Sequence, residues 1–138
     1  MKPDTRTAEA WREYKMRQQV YPGRVRDKKM TQRSADKKMQ LMKEIAIVMH
    51  VNVLMQETPK LPIYEPDGII VITDLAPHIK EATTEINWRE HRLRTHVLSN
   101  QQKREAETQL QLMKEILQIL QTIQNESRPQ QQEQLSLF

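Results

Sequence analysis

Residues Ala106 to Ile123, AETQLQLMKEILQILQTI, hold the clearest periodicity in the chain. Ala106, Leu110, Met113, Leu117 and Leu120 recur at spacings of four, three, four and three, with Leu112, Ile116, Ile119 and Ile123 forming a second stripe beside them. Positions three and four apart share a helix face, so the segment reads as an amphipathic helix with nearly half its circumference apolar. Lys103, Arg104, Glu105, Lys114 and Gln121 fall outside that face. Ser99 or Asn100 should open the helix, which should reach about Glu126. A face this wide predicts packing across another helix or a self-association seam, so a homodimer is one expectation.

Working outward, the same chemistry recurs upstream. Thr31 or Ser34 can cap a helix running to about Glu57, stopped by Thr58-Pro59. Its apolar residues, among them Leu41, Met42, Ile45, Ala46, Val48 and Met49, wrap more than one stripe, as in a helix central to a fold. The hexapeptide QLMKEI occurs at Gln40–Ile45 and again at Gln111–Ile116, an offset of 71. One six-residue match between two amphipathic helices reads as convergence on good helix formers. A first helix is expected over Thr5–Gln19, capped by Asp4 or Thr5 and ending before Tyr21-Pro22-Gly23, with Arg24–Met30 a basic connector. Leu61-Pro62-Ile63-Tyr64 and Ile69-Ile70-Val71-Ile72 flank Glu65-Pro66-Asp67-Gly68, which predicts a short β-hairpin near 61–73. Asp74 should cap a third helix, with Pro77 in its first turn, reaching about Val97. The expected fold is mainly α: about four helices and a small hairpin in a domain over 1–126, followed by a disordered tail over 127–138.

Composition narrows the function. The chain has 138 residues, 37% hydrophobic and 4% aromatic, with two glycines and no cysteine. So few glycines argue against Rossmann units, P-loops and β-barrels, and the absence of cysteine excludes disulfides and thiolate chemistry. The net charge of +4 is uneven: residues 1–44 carry 13 Lys/Arg against 6 Asp/Glu, a surplus of 7. A basic third of this kind seeks an acidic partner. The longest apolar stretch, Ile45–Met55, is too short to span a bilayer and no leader is apparent, so a cytoplasmic protein without membrane contact is expected.

From Ser127 the sequence turns polar, Ser127-Arg128-Pro129-Gln130-Gln131-Gln132-Glu133, and then reads Gln134-Leu135-Ser136-Leu137-Phe138. A polar tether followed by three large apolar groups suits an anchor for another protein's pocket. QLSLF resembles the pentapeptide with which bacterial proteins dock on the replicative sliding clamp, consensus Gln-Leu-Ser/Asp-Leu-Phe, and all five positions match. The resemblance implies that Gln134 hydrogen-bonds at the pocket mouth and Leu135 sets the approach. Leu137 and Phe138 would fill an apolar subsite, with Ser136 a small outward spacer. Gln132 to Phe138 also follows the Gln-x-x-Leu-x-x-aromatic box of archaeal and eukaryotic clamp clients, but lacks its second aromatic.

Other candidate sites are fewer. Arg12, Lys15, Arg17, Arg24, Arg26, Lys28, Lys29 and Arg33 are candidate nucleic-acid contacts, with Trp11, Tyr14 and Tyr21 interleaved for stacking. The alternative is a solvated face with Trp11 and Tyr14 in the core. His50 reads as a packed core histidine, and the Glu85-x-x-Trp88-Arg89-Glu90-His91 run as a solvated face with i, i+4 pairs. His91 and His96, five apart, miss the spacing of a helical metal pair, and His78 with Glu81 stands alone. No nucleophile or apolar carboxylate pair is evident, so no enzyme, metal or cofactor is expected. The expected function is a non-enzymatic accessory protein docked on the bacterial sliding clamp through 134–138, serving replication, repair or a mobile element. DNA or a second protein would meet the basic third. Alternatives are a small basic DNA-binding protein, a clamp-tethered transcription cofactor, or a phage-type clamp competitor.

Overall fold

The computed structural model describes residues 4–65, 68 and 70–127. Four helices follow in order: α1 (Thr5–Arg26), α2 (Gln32–Met55), α3 (Ala76–Thr95) and α4 (Asn100–Ser127), with strands β1 (Ile63–Tyr64) and β2 (Val71–Ile72) between α2 and α3. Ser127, expected to open the disordered tail, is instead helical and accepts from the Leu61 N–H, and residues 128–138 of that tail lie outside the described residues.

Local sequence explains most boundaries. The Asp4 carboxylate accepts from the backbone N–H groups of Arg6 and Thr7 and starts α1. The Thr31 hydroxyl accepts from the Ser34 N–H and starts α2. At α4 the Ser99 hydroxyl accepts from the Gln102 N–H while the Gln102 side chain accepts from the Ser99 N–H, a reciprocal capping box. In α3, Leu75 holds the cap position and Pro77 the first turn, while Asp74 accepts from the Ala76 N–H. The hairpin pairs Ile63 with Ile72 and Tyr64 with Val71, and Gly68, at φ 77°, supplies the left-handed residue of its turn.

Two expectations are corrected here. α1 does not end before Tyr21-Pro22-Gly23 but runs through Pro22 to Arg26, so the connector shrinks to 27–31. Proline removes one N–H and crowds the carbonyl four residues earlier; that residue, Gln18, is exposed, where water can satisfy the released carbonyl. His50 is exposed rather than packed in the core.

α1 packs chiefly on α2, and α3 on α4, making two helical hairpins; α1 also touches α4, and α2 touches α3. Met42, Ile45 and Met49 of α2 meet Met113, Ile116, Leu120 and Ile123 of α4 in one buried cluster with Ile63, Ile72 and Leu75. The buried line of α4 therefore runs between the two stripes of the sequence, and its wide apolar face is used within the chain. Gln124, buried at the end of α4, accepts from the Leu75 N–H and donates to Asp74, tying the hairpin exit to α4.

The QLMKEI repeat proves structural. Adding 71 to Met42, Ile45 and Met49 gives Met113, Ile116 and Leu120, all buried. Adding 72 to Glu9, Ala10, Glu13 and Arg17 gives Glu81, Ala82, Glu85 and Arg89, also all buried. Convergence on helix formers does not account for matched burial on both helices of each hairpin. The second hairpin repeats the first.

Buried ionic core and candidate nucleic-acid interface

The spacing Glu-x3-Glu-x3-Arg places three charges on one helix stripe. α1 carries it as Glu9, Glu13 and Arg17, α3 as Glu81, Glu85 and Arg89, and the two stripes face each other in the interior. Arg17 is 1% exposed; its Nε donates to Glu13 (2.8 Å), Nη1 to Glu81 (2.9 Å) and Nη2 to Glu85 (2.9 Å). Arg89 mirrors it: Nε donates to Glu85 (2.8 Å) and Nη2 to Glu13 (2.8 Å), and Nη1 lies 2.8 Å from Glu9. Each guanidinium also donates to a carbonyl on the following helix, Arg17 to Lys38 and Arg89 to Gln109, again 71 apart. The same reciprocity sets Arg6 on Glu115 (3.0 Å) and His78 on Glu44 (2.8 Å). Such exchange of partners is that of an approximate twofold axis between the hairpins.

Symmetry breaks at the rim, where Arg12 forks onto Glu9 (2.7 and 2.8 Å) and Lys38 reaches Glu81 (3.1 Å). Four carboxylates thus meet four cations, Arg12, Arg17, Lys38 and Arg89, and the cluster is neutral. Burial works against the Arg17 and Arg89 charges, but the surrounding glutamates outweigh it and hold both pKa values above the ordinary range. Guanidinium groups stand between the buried glutamates; among the described residues no group of three or more His, Asp or Glu is placed to hold a metal ion.

Tyr21 lies over this cluster, the Arg17 guanidinium carbon 5.7 Å from its ring centroid. Burial raises its phenol pKa to about 12, Arg17 opposing and Glu81, Glu13 and Glu85 assisting. The neutral phenol is the form the fold favours, so its contribution is complete below the ordinary tyrosine value of about 10 and is lost as pH climbs to about 12. In an alkaline titration followed by phenolate absorbance, a step near pH 12 should appear, and Tyr21→Phe should remove it. A late step that survives the substitution would refute this placement.

The expected nucleic-acid residues divide. Arg17 is interior and is removed from the interface; Arg12 is half committed to Glu9. Lys15, Arg24, Arg26, Lys28, Lys29 and Arg33 are exposed and make no ion pair among the described residues. Trp11 and Tyr14 pack partly buried on the core, ring centroids 5.8 Å apart. The Glu85–Arg89 pair, expected on a solvated face, is buried. This burial has a surface consequence that sequence reading missed. With Glu9, Glu13, Glu81 and Glu85 turned inward and Glu90 half-buried, no carboxylate of α1 or α3 is exposed. The exposed charges on these helices are Arg12, Lys15, Arg24 and Arg26 on α1, and Lys80, Arg92 and Arg94 on α3. The exposed acids lie outside these helices, at Asp27, which caps the end of α1, and at Asp36, Glu57, Asp74, Glu105, Glu107 and Glu126.

No family model, curated protein or solved structure matches this chain. Its architecture is two repeated helical hairpins closed over a neutral ionic cluster. Among the described residues no helix is long and apolar enough to cross a membrane.

Proposed function

We propose that this protein is a non-enzymatic accessory factor that docks on the bacterial replicative sliding clamp through Gln134, Leu135, Ser136, Leu137 and Phe138. The single observation behind the reading is the match at all five positions of the clamp-docking pentapeptide. Support comes from spacing: six residues, 128–133, five of them polar and one proline, separate Ser127 from the motif. Seven residue steps can reach at most about 25 Å, enough for the peptide to enter a pocket clear of the helices.

Full burial of Leu137 and Phe138 contributes about 1.5–3 kcal/mol each, opposed by about 2–5 kcal/mol for ordering the peptide. Affinity for the isolated contact is therefore on the order of micromolar. Calorimetric titration of the full chain against a bacterial clamp should show such binding, and Leu137→Ala/Phe138→Ala should weaken it by more than about tenfold. Equal affinity of both proteins, or none by either, overturns the reading. The carboxylate-free side of α1 and α3 favours a second contact with DNA beside the clamp, which would raise occupancy through effective concentration. A plain DNA-binding protein is the competing reading; it keeps its DNA affinity without 128–138 and does not bind the clamp.

A further inference from the structure

Trp88 is 53% exposed, and across the approximate twofold axis its counterpart, Met16, is 38% exposed. Both line a cleft of about 100 Å³ formed by α1, α3 and α4, with Arg12 and Arg92 in its lining beside Glu13, Glu85 and Arg89 of the neutral cluster. The His91 ring lies 6.0 Å from the indole, tilted by 32°. A half-exposed indole amid cations, on two helices without an exposed carboxylate, has the two elements of a single-strand site: a π face for an unpaired base and positive charge for the backbone. We propose that this face binds single-stranded nucleic acid, with one base stacked on Trp88. Arg92 would take the adjacent phosphate, and the strand would run along α1 toward Arg24 and Arg26. Eight residues of helix separate Met16 from Arg24, about 12 Å of track. Paired bases already stack within a duplex and leave no face for the indole, so the site should prefer an unpaired strand. This inference stands apart from clamp docking, since neither Trp88 nor its cleft involves residues 134–138.

The test uses the full chain carrying Trp11→Phe, so that tryptophan emission reports Trp88. Titration with a thymidine oligonucleotide should quench the emission, and the same strand annealed to its complement should bind several-fold more weakly. Trp88→Ala should reduce affinity by about fivefold to a hundredfold and Trp88→Phe by much less. Arg92→Gln should flatten the salt dependence. Circular dichroism of Trp88→Ala should be unchanged, as befits an exposed side chain. Unchanged affinity in Trp88→Ala, equal binding of the duplex, or no binding at all would overturn the proposal. So would equal quenching by a polyglutamate peptide, which would assign the face to an acidic protein. Clamp titration of the same protein is read separately, so either reading can fail alone.

Discussion

Arg17→Met should destabilise the fold by about 3–5 kcal/mol, although methionine fills much of the same volume and restores an apolar contact. The substitution leaves Glu13, Glu81 and Glu85 in an interior where Arg17 held all three, at 2.8, 2.9 and 2.9 Å. It also releases the Lys38 carbonyl and the cation beneath Tyr21. The remaining partners, Arg89 and Lys38, cannot neutralise three carboxylates that also include their own ligands. A small domain has about 5–15 kcal/mol in total, so the variant should be marginal at best. Arg17→Lys keeps the charge but loses the planar fork, and should fall between the two. Denaturant midpoints for the three proteins check this; a loss under about 1 kcal/mol for Arg17→Met would show that the glutamates are solvated.

The apolar end should respond by a different route. Leu120 is fully buried in the cluster with Met42, Ile45 and Ile116, and Leu120→Ala should cost about 2–5 kcal/mol through lost transfer energy and a residual cavity. Met49 stands at the repeat-equivalent position and is 1% exposed, so Met49→Ala should cost a comparable amount. Salt separates the two mechanisms only weakly, since buried pairs are little screened. Cavity filling does so better: a small apolar ligand should recover part of the Leu120→Ala loss and none of the Arg17→Met loss.

Much of the fold was legible because caps and turns act locally. Asp4, Thr31, Ser99 and Gly68 do the work their types suggest, and the fourth helix showed its period plainly. Pro22 misled, because the rule that proline ends a helix holds less well where the residue four positions earlier, here Gln18, is exposed. The ionic cluster misled more deeply. Glu and Arg at i, i+4 form the same pattern on a solvated surface as in an interior, and only a second stripe of the same spacing decides between them. That second stripe was present: Glu9-Ala10-x2-Glu13-x3-Arg17 and Glu81-Ala82-x2-Glu85-x3-Arg89 repeat at nearly the offset of QLMKEI. Two short matches at offsets one residue apart carry information that neither holds alone. The pentapeptide at 134–138 was legible for the opposite reason, since its meaning depends on a partner's pocket rather than on this chain's packing.

The repeated hairpins lie on a single chain, joined through residues 56–75. Two separate copies would have to carry identical residues at every equivalent position, so any binding feature on the shared face would occur twice. Fusion lifts that obligation. Position 16 keeps methionine where 88 bears tryptophan, 6 keeps arginine where 78 bears histidine, and 38 keeps lysine where 109 bears glutamine. The ionic stripes match because each half completes the other, while positions around them differ. The molecule thus has the interior of a symmetric pair and a polarised exterior, on which one half carries a half-exposed indole where the other carries a methionine.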